Sequence, residues 1–257
     1  MQSILKFGAL FAQGRWARVL PILLTLCAWQ LLAIAVQSKT LPPPSAVLAA
    51  LWQELHSGDL LLHLGVTLGR VAISFGAAML LGVALGILMG NSNSWDRLLD
   101  AFLIFALNIP ALVTIILCYI WFGLTETAAV IAVTVNKIPM VAISLREGAR
   151  AVDKKLLQVA RVYRLSRRDT FFKVYLPQLT PYLFGSARNG LAIIWKIVLV
   201  VELLGRSNGV GFQIGNYFHF FDITGILAYT LAFLLVIFGV EALLLRPLEK
   251  HLNRWRA

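Results

Sequence analysis

Long apolar runs separated by short polar stretches make up most of this chain. Six runs approach the length of about 20 residues that a helix needs to cross a bilayer. They lie at residues 19–36, 71–89, 101–122, 127–145, 179–201 and 223–245. No run alternates polar and apolar residues with a period of two, as a membrane β-barrel would, and helices satisfy their own backbone polar groups in lipid. The pattern predicts an all-α integral membrane protein with about six transmembrane helices.

The composition excludes a water-soluble globule. Of the 257 residues, 59% are hydrophobic and 14% are charged, with a mean hydropathy of +0.80. Soluble domains are about 45–50% apolar and about 25% charged, so this chain has too little polar surface to cover such a fold. Cys27 and Cys118 both lie inside apolar runs, and they offer neither a disulfide framework nor a zinc site.

The five predicted spans after the first contain or adjoin charged or interrupting residues, including Lys137 in the run at 127–145 and Glu241 in the run at 223–245. The run at 71–89 is expected to extend outward to about Leu64 and to include Arg70, whose long stem could reach the membrane surface. The run at 179–201 contains two basic residues and has the weakest hydropathy. The sequence Asn108-Ile-Pro110 interrupts the run at 101–122, where a freed carbonyl could line a cavity.

The first span has an alternative interpretation. Lys6, Arg15 and Arg18 precede an apolar run that contains the small-residue sequence 33–35, which is typical of a cleaved secretory signal. This run is longer than the usual core of a signal peptide and includes Trp29. A retained first helix is therefore favoured.

Basic residues are distributed very unevenly between the two sides of the predicted bundle. Seventeen Lys and Arg residues lie in segments 1–18, 90–100 and 146–178 and in the tail after Leu245. The opposite segments hold only Lys39 and Arg206. The positive-inside rule places both termini and the long 146–178 loop in the cytoplasm. The net charge of +11 is then explained by topology, and we expect no nucleic-acid partner.

The 146–178 loop predicts two short helices. Asp153 is a good N-cap, and an apolar face follows at helical spacing with a basic face opposite; the apolar positions are Leu156, Val159, Ala160 and Tyr163 and the polar ones are Lys154, Lys155, Gln158 and Arg161. Ser166 and Asp169 match a capping box that begins a second helix, and Pro177 is expected to end it. The turn between the helices falls near Arg164 and Leu165.

Three interpretations of this loop compete. A basic amphipathic hairpin could lie on anionic headgroups, or it could dock onto a cytosolic partner and transmit force from it to the spans. A DNA-reading helix-turn-helix is disfavoured, because both ends are tethered within a few residues of the bilayer and a recognition helix could not enter a major groove.

The same loop resembles the EAA loop of bacterial ABC-transporter permeases. Residues 158–164, nine further residues and then 174–177 follow that pattern, with matches at Ala160, Val174, Leu176 and Pro177. The usual Glu, Ala and Gly are replaced by Gln158, Val159 and Arg164. The flanking stretches 41–52, 145–153, 201–205 and 209–211 are similar to the permeases of nitrate, sulfonate and taurine importers. The resemblance covers about residues 40–245.

This resemblance implies a type I ABC importer permease fold acting as a homodimer in the inner membrane. It also implies cytoplasmic ATPase subunits that carry ATP-Mg, an extracytoplasmic solute-binding protein, and no cofactor or ATPase site in this chain. The loop would dock as a coupling helix, and the expected coupling residues are Leu157, Gln158, Ala160, Arg161, Tyr163, Arg164, Leu165, Ser166, Leu176 and Pro177. Arg164 replaces a turn glycine, and a positive φ there would cost about 1 kcal/mol or more.

No catalytic constellation is visible. The chain lacks a P-loop and a His-Glu-x-x-His motif. His56, His63, His219 and His251 share no metal-binding spacing, and we interpret them as interfacial polar residues. The glycines at 205–215 are interpreted as a tight external turn.

Polar residues inside the predicted spans are candidates for a translocation path, since they are costly in lipid. The candidates are Asn108, Asn136, Lys137, Lys196 and Glu202. One hypothesis is a cationic path for an anionic solute. The slightly favoured alternative is that both lysines bond carbonyls or carboxylates at helix contacts, with Glu202 as a counter-charge. Arg188 and Glu241 are expected to be structural.

The chain is accordingly divided into four parts. These are a cytoplasmic N-terminus with the first span (1–40), an external segment with an interfacial helix at 45–56 (41–63), a permease core (64–245) and a basic tail (246–257). The favoured function is the permease subunit of an ATP-driven importer of a small anionic solute. An ion-coupled secondary transporter is the alternative, but no repeated halves are apparent.

Overall fold

The computed structural model describes residues 16–252, and this part of the chain is helical without any strand. Lys6, Arg15 and the tail beyond Leu252 lie outside the described residues. The helices are α1 (Trp16–Val36), α2 (Pro44–Ser57), α3 (Asp59–Asn91), α4 (Asn93–Asn108), α5 (Ala111–Phe122), α6 (Glu126–Arg150), α7 (Lys154–Val162), α8 (Arg167–Asp169), α9 (Leu176–Gly205), α10 (Val210–His219), α11 (Ile223–Val240) and α12 (Arg246–Leu252). Two π-helical segments are π1 (Thr170–Tyr175) and π2 (Glu241–Leu245).

Four described helical segments are long and apolar enough to cross a membrane: α1, α3, α6 and the continuous segment Ile223–Glu249. The predicted run at 179–201 lies inside the 30-residue α9, which is not among these four segments. Helix α3 begins at Asp59, five residues before the expected start at Leu64.

The run at 101–122 does not form one straight span. Helices α4 and α5 meet at an angle of 98°, and the break falls at the Asn108–Pro110 interruption that the sequence predicts. Ile109 is extended, with φ −72° and ψ 123°, because a residue before proline is pushed out of the helical region. The expectation of a single helix over 101–122 is therefore wrong.

Helices α3 and α6 form the most extensive helix pair of the fold. Gly82, Gly86 and Gly90 recur every four residues on α3, and a Cβ atom at Gly86 would lie 2.5 Å from the carbonyl oxygen of Ala142. A Cβ at Gly82 would lie 2.6 Å from Cβ of Val141. The stripe of small residues lets the two backbones approach closely, as is common between helices in membranes.

The apolar core lies where α3, α6 and α9 meet, with α5 and α11 packed around them. Its fully buried side chains include Val133, Ile194, Val198 and Tyr229. Helix α1 stands apart, because Ala33 is its only buried side chain among those described. Gln30 of α1 donates a hydrogen bond to Ser45 of α2, at 3.2 Å.

Helix α2 confirms that the segment predicted at 45–56 is helical; its external location stays a prediction. Leu48 and Trp52 are exposed, whereas Leu51 packs on the core. Glu54 accepts hydrogen bonds from Tyr217 at 2.7 Å and from Tyr229 at 3.2 Å, which ties α2 to α10 and α11. Burial, followed by the contact with Glu54, raises the pKa of the Tyr217 hydroxyl, so it stays a proton donor.

Candidate functional site

The two predicted caps of the loop hairpin are present. Oδ1 of Asp153 accepts from the amide of Lys155 at 2.7 Å and begins α7. Oγ of Ser166 accepts from the amide of Asp169 at 3.0 Å, while its hydroxyl donates to the Asp169 carboxylate at 2.7 Å. The hydrogen bond from Lys173, and then that from Ser166, lower the pKa of Asp169. Both helix starts are confirmed.

Pro177 does not end the second helix. The chain passes from α8 through π1 directly into α9, and Pro177 occupies the first turn of α9. The amide of Leu176 donates to the carbonyl of Phe171, five residues back, as in a π-helical turn. Proline is tolerated in a first helical turn, where its missing N–H is not needed.

The turn between the helices has the strained geometry considered for Arg164. Its φ is +51°, in the left-handed region that favours glycine. The amide of Leu165 donates to the carbonyl of Ala160 at 3.0 Å, and the amide of Arg164 donates to that of Arg161 at 3.0 Å. These two bonds form a Schellman motif, so the arginine keeps the turn that a glycine would make.

The apolar face of α7 points away from the bundle. Val162 and Tyr163 are 79% and 77% exposed, and Leu156 and Val159 are also exposed. We call these four residues the hairpin tip. Ala160 is only 2% exposed, so it cannot itself belong to a docking surface. Val162 is the most exposed apolar residue of the loop, and it is absent from the coupling residues predicted from the sequence.

The remaining predicted coupling residues are divided between surface and interior. Leu157 packs on a small cluster formed by Ala149, Val152, Tyr175 and Leu179. Leu176 is half-buried, and the others are exposed: Gln158, Arg161, Leu165, Ser166 and Pro177. The hairpin is therefore attached to α6 and α9 through its inner side.

An ion-pair network links the end of α6, just before the hairpin, to the start of α4. Arg146 contacts Asp96 at 3.3 Å and also pairs with Asp100, while Arg150 pairs with Asp96. Glu147 joins both arginines at 3.1 Å. Motion of the hairpin would thus reach the bent α4–α5 segment through this network.

The opposite end of the bundle holds a charge cluster that the sequence does not predict, in which Arg70 and Glu202 are buried and Glu126 is exposed. Arg70 is 5% exposed and donates to Glu126 at 2.6 Å and to Glu202 at 2.7 Å. It also donates to the backbone carbonyl of Asn208 at 2.8 Å. Arg206 pairs with Glu126 at 2.5 Å. We call these five residues the outer cluster; the expectation that Arg70 reaches the membrane surface is wrong, because its charge is satisfied internally.

Side chains of α3 and α9 hold the first amides of α10. Oε2 of Glu202 accepts from Gly211 at 2.8 Å, Oγ1 of Thr67 accepts from Val210 at 2.9 Å, and Nδ1 of His63 accepts from Gly209 at 2.9 Å. A carboxylate at a helix N-terminus is stabilised by the helix dipole. The interfacial assignment of His63 is wrong, because it is 7% exposed and engaged here.

Only part of the predicted turn at 205–215 is a turn: α9 ends at Gly205, residues 206–209 connect the helices, and Gly211 and Gly215 lie inside α10. Gly209 has φ +109°. A Cβ atom at this position would lie 2.4 Å from Cδ of Glu202 and would overlap the carboxylate. Because Glu202 lies only seven and nine residues before Gly209 and Gly211, this part of the site could have been predicted from the sequence. Thr67, Arg70, Glu126 and Asn208 carried no such signal, since their partners are distant in sequence.

The predicted path residues do not converge on one site. Glu202 is fully buried and serves the outer cluster, so its role as a counter-charge to the lysines is wrong. Lys137 is 2% exposed and donates to Sδ of Met140 at 2.7 Å, rather than to a carbonyl or carboxylate. Lys196 is exposed on α9, Asn136 is half-buried, and Asn108 donates to the carbonyl of Ile104.

Arg188 and Glu241 form the structural contact expected of them. Arg188 pairs with Glu241 at 2.5 Å and with Glu249 at 2.9 Å, which joins α9 to π2 and α12. Within residues 16–252, no three His, Cys, Asp or Glu side chains are grouped as a metal site.

A bundle of apolar helices whose one end is fixed by buried charges, and whose other end carries a capped helical hairpin with an exposed apolar tip, defines a class of membrane protein. Comparison with known proteins identifies this class as the permease subunits of ABC importers, which work by alternating access. The ion-coupled secondary transporter is not supported.

The family follows from comparison with known proteins. Residues 82–246 match the model of the binding-protein-dependent transport system inner membrane component, and the chain belongs to this family. A Bacillus subtilis (strain 168) permease named for aliphatic sulfonates transport is 32% identical, covering 89% of this chain and 83% of that protein. The taurine transport permease of Escherichia coli (strain K12) is 29% identical, covering 92% of this chain and 87% of that protein. The protein is therefore a multi-pass inner-membrane component.

Solved structures agree with the fold. The methionine ABC transporter MetNI in inward-facing conformations superposes with a TM-score of 0.66 at 17% identity, covering 78% of this chain and 99% of that one. An amino acid ABC transporter superposes with a TM-score of 0.64 at 19% identity, covering 78% and 97%. The predicted type I importer permease fold is confirmed.

Proposed function

We propose that this chain works as a homodimer with cytoplasmic ATPase subunits that bind ATP-Mg and with an extracytoplasmic solute-binding protein, and that it imports a small anionic solute. Both termini and the hairpin lie in the cytoplasm in this proposal, as the distribution of Lys and Arg favours. No covalent bond is made or broken in this chain, since ATP hydrolysis belongs to the partner.

The exposed hairpin tip is the main support for the proposed contact with an ATPase subunit. Four exposed apolar side chains project from a segment that is capped at both helix starts, and exposed apolar patches with polar rims mark interaction sites. Arg161 and Arg164 are exposed beside them and form the polar rim. A rigid knob of this kind suits insertion into a groove on a soluble subunit.

The connections of the hairpin determine how docking acts on the spans. On the inner side, Leu157 packs with Tyr175 and Leu179, so the hairpin moves with α6 and α9. Arg146 and Arg150 extend the coupling to α4. ATP-driven closure of two ATPase subunits would draw two hairpins together and rock these helices from inward-facing to outward-facing.

The anionic class of the solute rests on the relatives and on α9. Two of the relatives are named for the transport of aliphatic sulfonates and of taurine. A third, from Synechocystis, is named for nitrate import and is 29% identical to this chain, covering 77% of this chain and 75% of that protein. Lys196 is exposed in the second half of α9, and a cation in a span faces protein or water rather than lipid. We propose that Lys196 on α9 and Lys137 on α6 give the path its positive character, that Asn136 contributes to its polar lining, and that Asn108 marks its bend.

Substitution at the hairpin tip tests the ATPase contact. Tyr163→Glu places a charge at a 77% exposed position, so we expect normal insertion but at least tenfold weaker co-purification with the ATPase subunit and loss of uptake. Tyr163→Phe keeps the ring and is the matched control. Retention of the ATPase by Tyr163→Glu at the level of the control would contradict the proposal.

A further inference from the structure

The hairpin has a second surface, on the side that faces the end of α3. Two adjoining cavities of about 570 Å³ and 530 Å³ lie there. They share three lining residues, Asn91, Leu157 and Tyr175. Together we call them the inner groove. It is separate from the hairpin tip, because none of the four tip residues lines it.

Cationic side chains line the inner groove, and none of its lining residues is acidic. Arg161 and Arg167 line the larger cavity, and Arg150 and Lys154 line the other. Arg150 is engaged by carboxylates of α4 and α6. Within the described chain, no carboxylate lies within ion-pair distance, 4.0 Å, of Arg161, Arg167 or Lys154. Three cations thus border the groove without an anionic partner.

The lining between these cations is amphipathic. Ile87, Leu157 and Phe171 supply apolar surface, and the ring of Phe171 stacks on Tyr175 with centroids 5.7 Å apart. The Tyr175 hydroxyl accepts a hydrogen bond from the side-chain amide of Asn91 at 2.7 Å. A ligand held here would offer negative charge to one part of the groove and hydrocarbon to another.

The groove lies where such a ligand is present at high concentration. Ile87 and Asn91 belong to the last turns of α3, where this long apolar helix ends. In the proposed orientation that end is at the cytoplasmic headgroup layer. Basic pockets between helices on the cytoplasmic side bind anionic lipid headgroups. The positive charge of the groove, its amphipathic lining and its position at the headgroup layer all favour the same class of ligand, an anionic lipid.

We propose that the inner groove binds the headgroup of an anionic phospholipid, whose negative charge is attracted by Arg161, Arg167 and Lys154 and whose first acyl carbons lie against Ile87 and Phe171. The proposal rests on the orientation given under Proposed function. The hairpin then has two partners on two surfaces, the ATPase at the tip and the lipid at the inner groove.

Native mass spectrometry of the purified full-length chain with added phosphatidylglycerol or phosphatidylcholine tests the site. We expect specific retention of phosphatidylglycerol, and about fivefold weaker binding for each charge removed by Arg167→Gln or Lys154→Gln. Arg168→Gln and Lys155→Gln are the matched controls, since each removes the same charge one residue away from the groove lining. These controls are expected to bind like the original chain.

Three results would overturn the proposal. They are equal loss in the control variants, equal retention of phosphatidylcholine, and displacement of the lipid by millimolar inorganic phosphate, which would indicate a free-anion site. The assay requires neither the ATPase nor transport. Tyr163→Glu is therefore expected to retain phosphatidylglycerol even where it loses the ATPase, and the two proposals fail separately.

Discussion

Within the described residues, three helices end on a residue other than glycine in the left-handed conformation, and the first of these residues is Gln37 after α1, with φ +49°. Arg164 follows α7 with φ +51°, and Phe221 follows α10 with φ +55°. Both close a Schellman motif, since Asp222 donates to the carbonyl of Tyr217 at 2.8 Å just as Leu165 does to that of Ala160. An L-residue loses about 1–2 kcal/mol there. Backbone hydrogen bonds maintain these turns against the preference of the side chain.

Arg164→Gly is expected to stabilise the hairpin by about 1 kcal/mol, because glycine adopts positive φ without steric cost. Hydrogen exchange of the loop amides would report slower opening. Arg161→Gly is the matched control: it lies inside α7, where glycine costs about 1 kcal/mol relative to alanine. Equal destabilisation by the two substitutions would contradict this account of the turn.

Ala160→Glu is expected to abolish uptake while the chain still inserts in the membrane. Ala160 is buried, so the carboxylate would be forced into the packed side of the hairpin or would unfold it. Gln158→Glu adds the same charge at an exposed position where the EAA pattern usually has glutamate, and it should therefore retain uptake. Limited proteolysis of the loop should cut the first variant faster, and uniform resistance would refute the explanation.

Local features of the hairpin could be predicted from the sequence, and distant ones could not. Asp153, Ser166 and the turn at Arg164 depend on hydrogen bonds within five residues. The pairing of Arg70 with Glu202 joins residues 132 positions apart, and no local pattern encodes it. The sequence identifies both as charged residues near membrane spans without showing that they neutralise each other.

At the scale of elements, spans were predictable where apolar length alone decides the structure. Helices α1, α3 and α6 follow the hydropathy pattern. The break between α4 and α5 follows from Pro110, but its angle of 98° depends on which surfaces the two pieces pack against. Likewise, Pro177 would end the helix if the turn before it were α-helical. That turn is the π-helical segment π1, so Pro177 falls in the first turn of α9 instead.

Gly86→Ala is expected to destabilise the bundle by about 1–3 kcal/mol, because the added methyl would overlap the Ala142 carbonyl and force α3 away from α6. Gly76→Ala on the same helix meets nothing within 4 Å and is expected to be neutral or slightly stabilising. Thermal unfolding of the two variants in detergent measures the difference. Similar midpoints would argue against close packing by the glycine stripe.

At the scale of the whole molecule, the outer cluster joins α3 and α6 to a third, distant part of the chain, the end of α9 and the turn that follows it. Arg70 belongs to α3, Glu126 to α6 and Glu202 to α9, while Asn208 and Arg206 lie in the turn before α10. Removing one member of a buried ion pair costs about 3–5 kcal/mol, because the remaining charge loses its partner. This cluster should dominate the stability of the outer end.

Arg70→Met is expected to lower stability by about 3–5 kcal/mol, with Glu202 as the stranded charge. Adding Glu202→Gln should recover part of the loss, since the amide oxygen can still accept from Thr67 and Gly211. Glu126 retains Arg206 in both variants. A double variant that is no more stable than Arg70→Met by thermal unfolding would show that the two residues are not coupled.

The outer cluster also sets the geometry of motion. Helices α6 and α9 are held together at one end by charges buried among α3, α6 and α9, and at the other end they carry a hairpin on the molecular surface. A force on the hairpin therefore acts at one end of α6 and α9, and these two helices pivot about their opposite ends, which the outer cluster holds together. In the proposed orientation, a stroke of the ATPase therefore moves the cytoplasmic ends of α6 and α9 the most, while the ion pairs at the pivot keep their external ends at a fixed spacing.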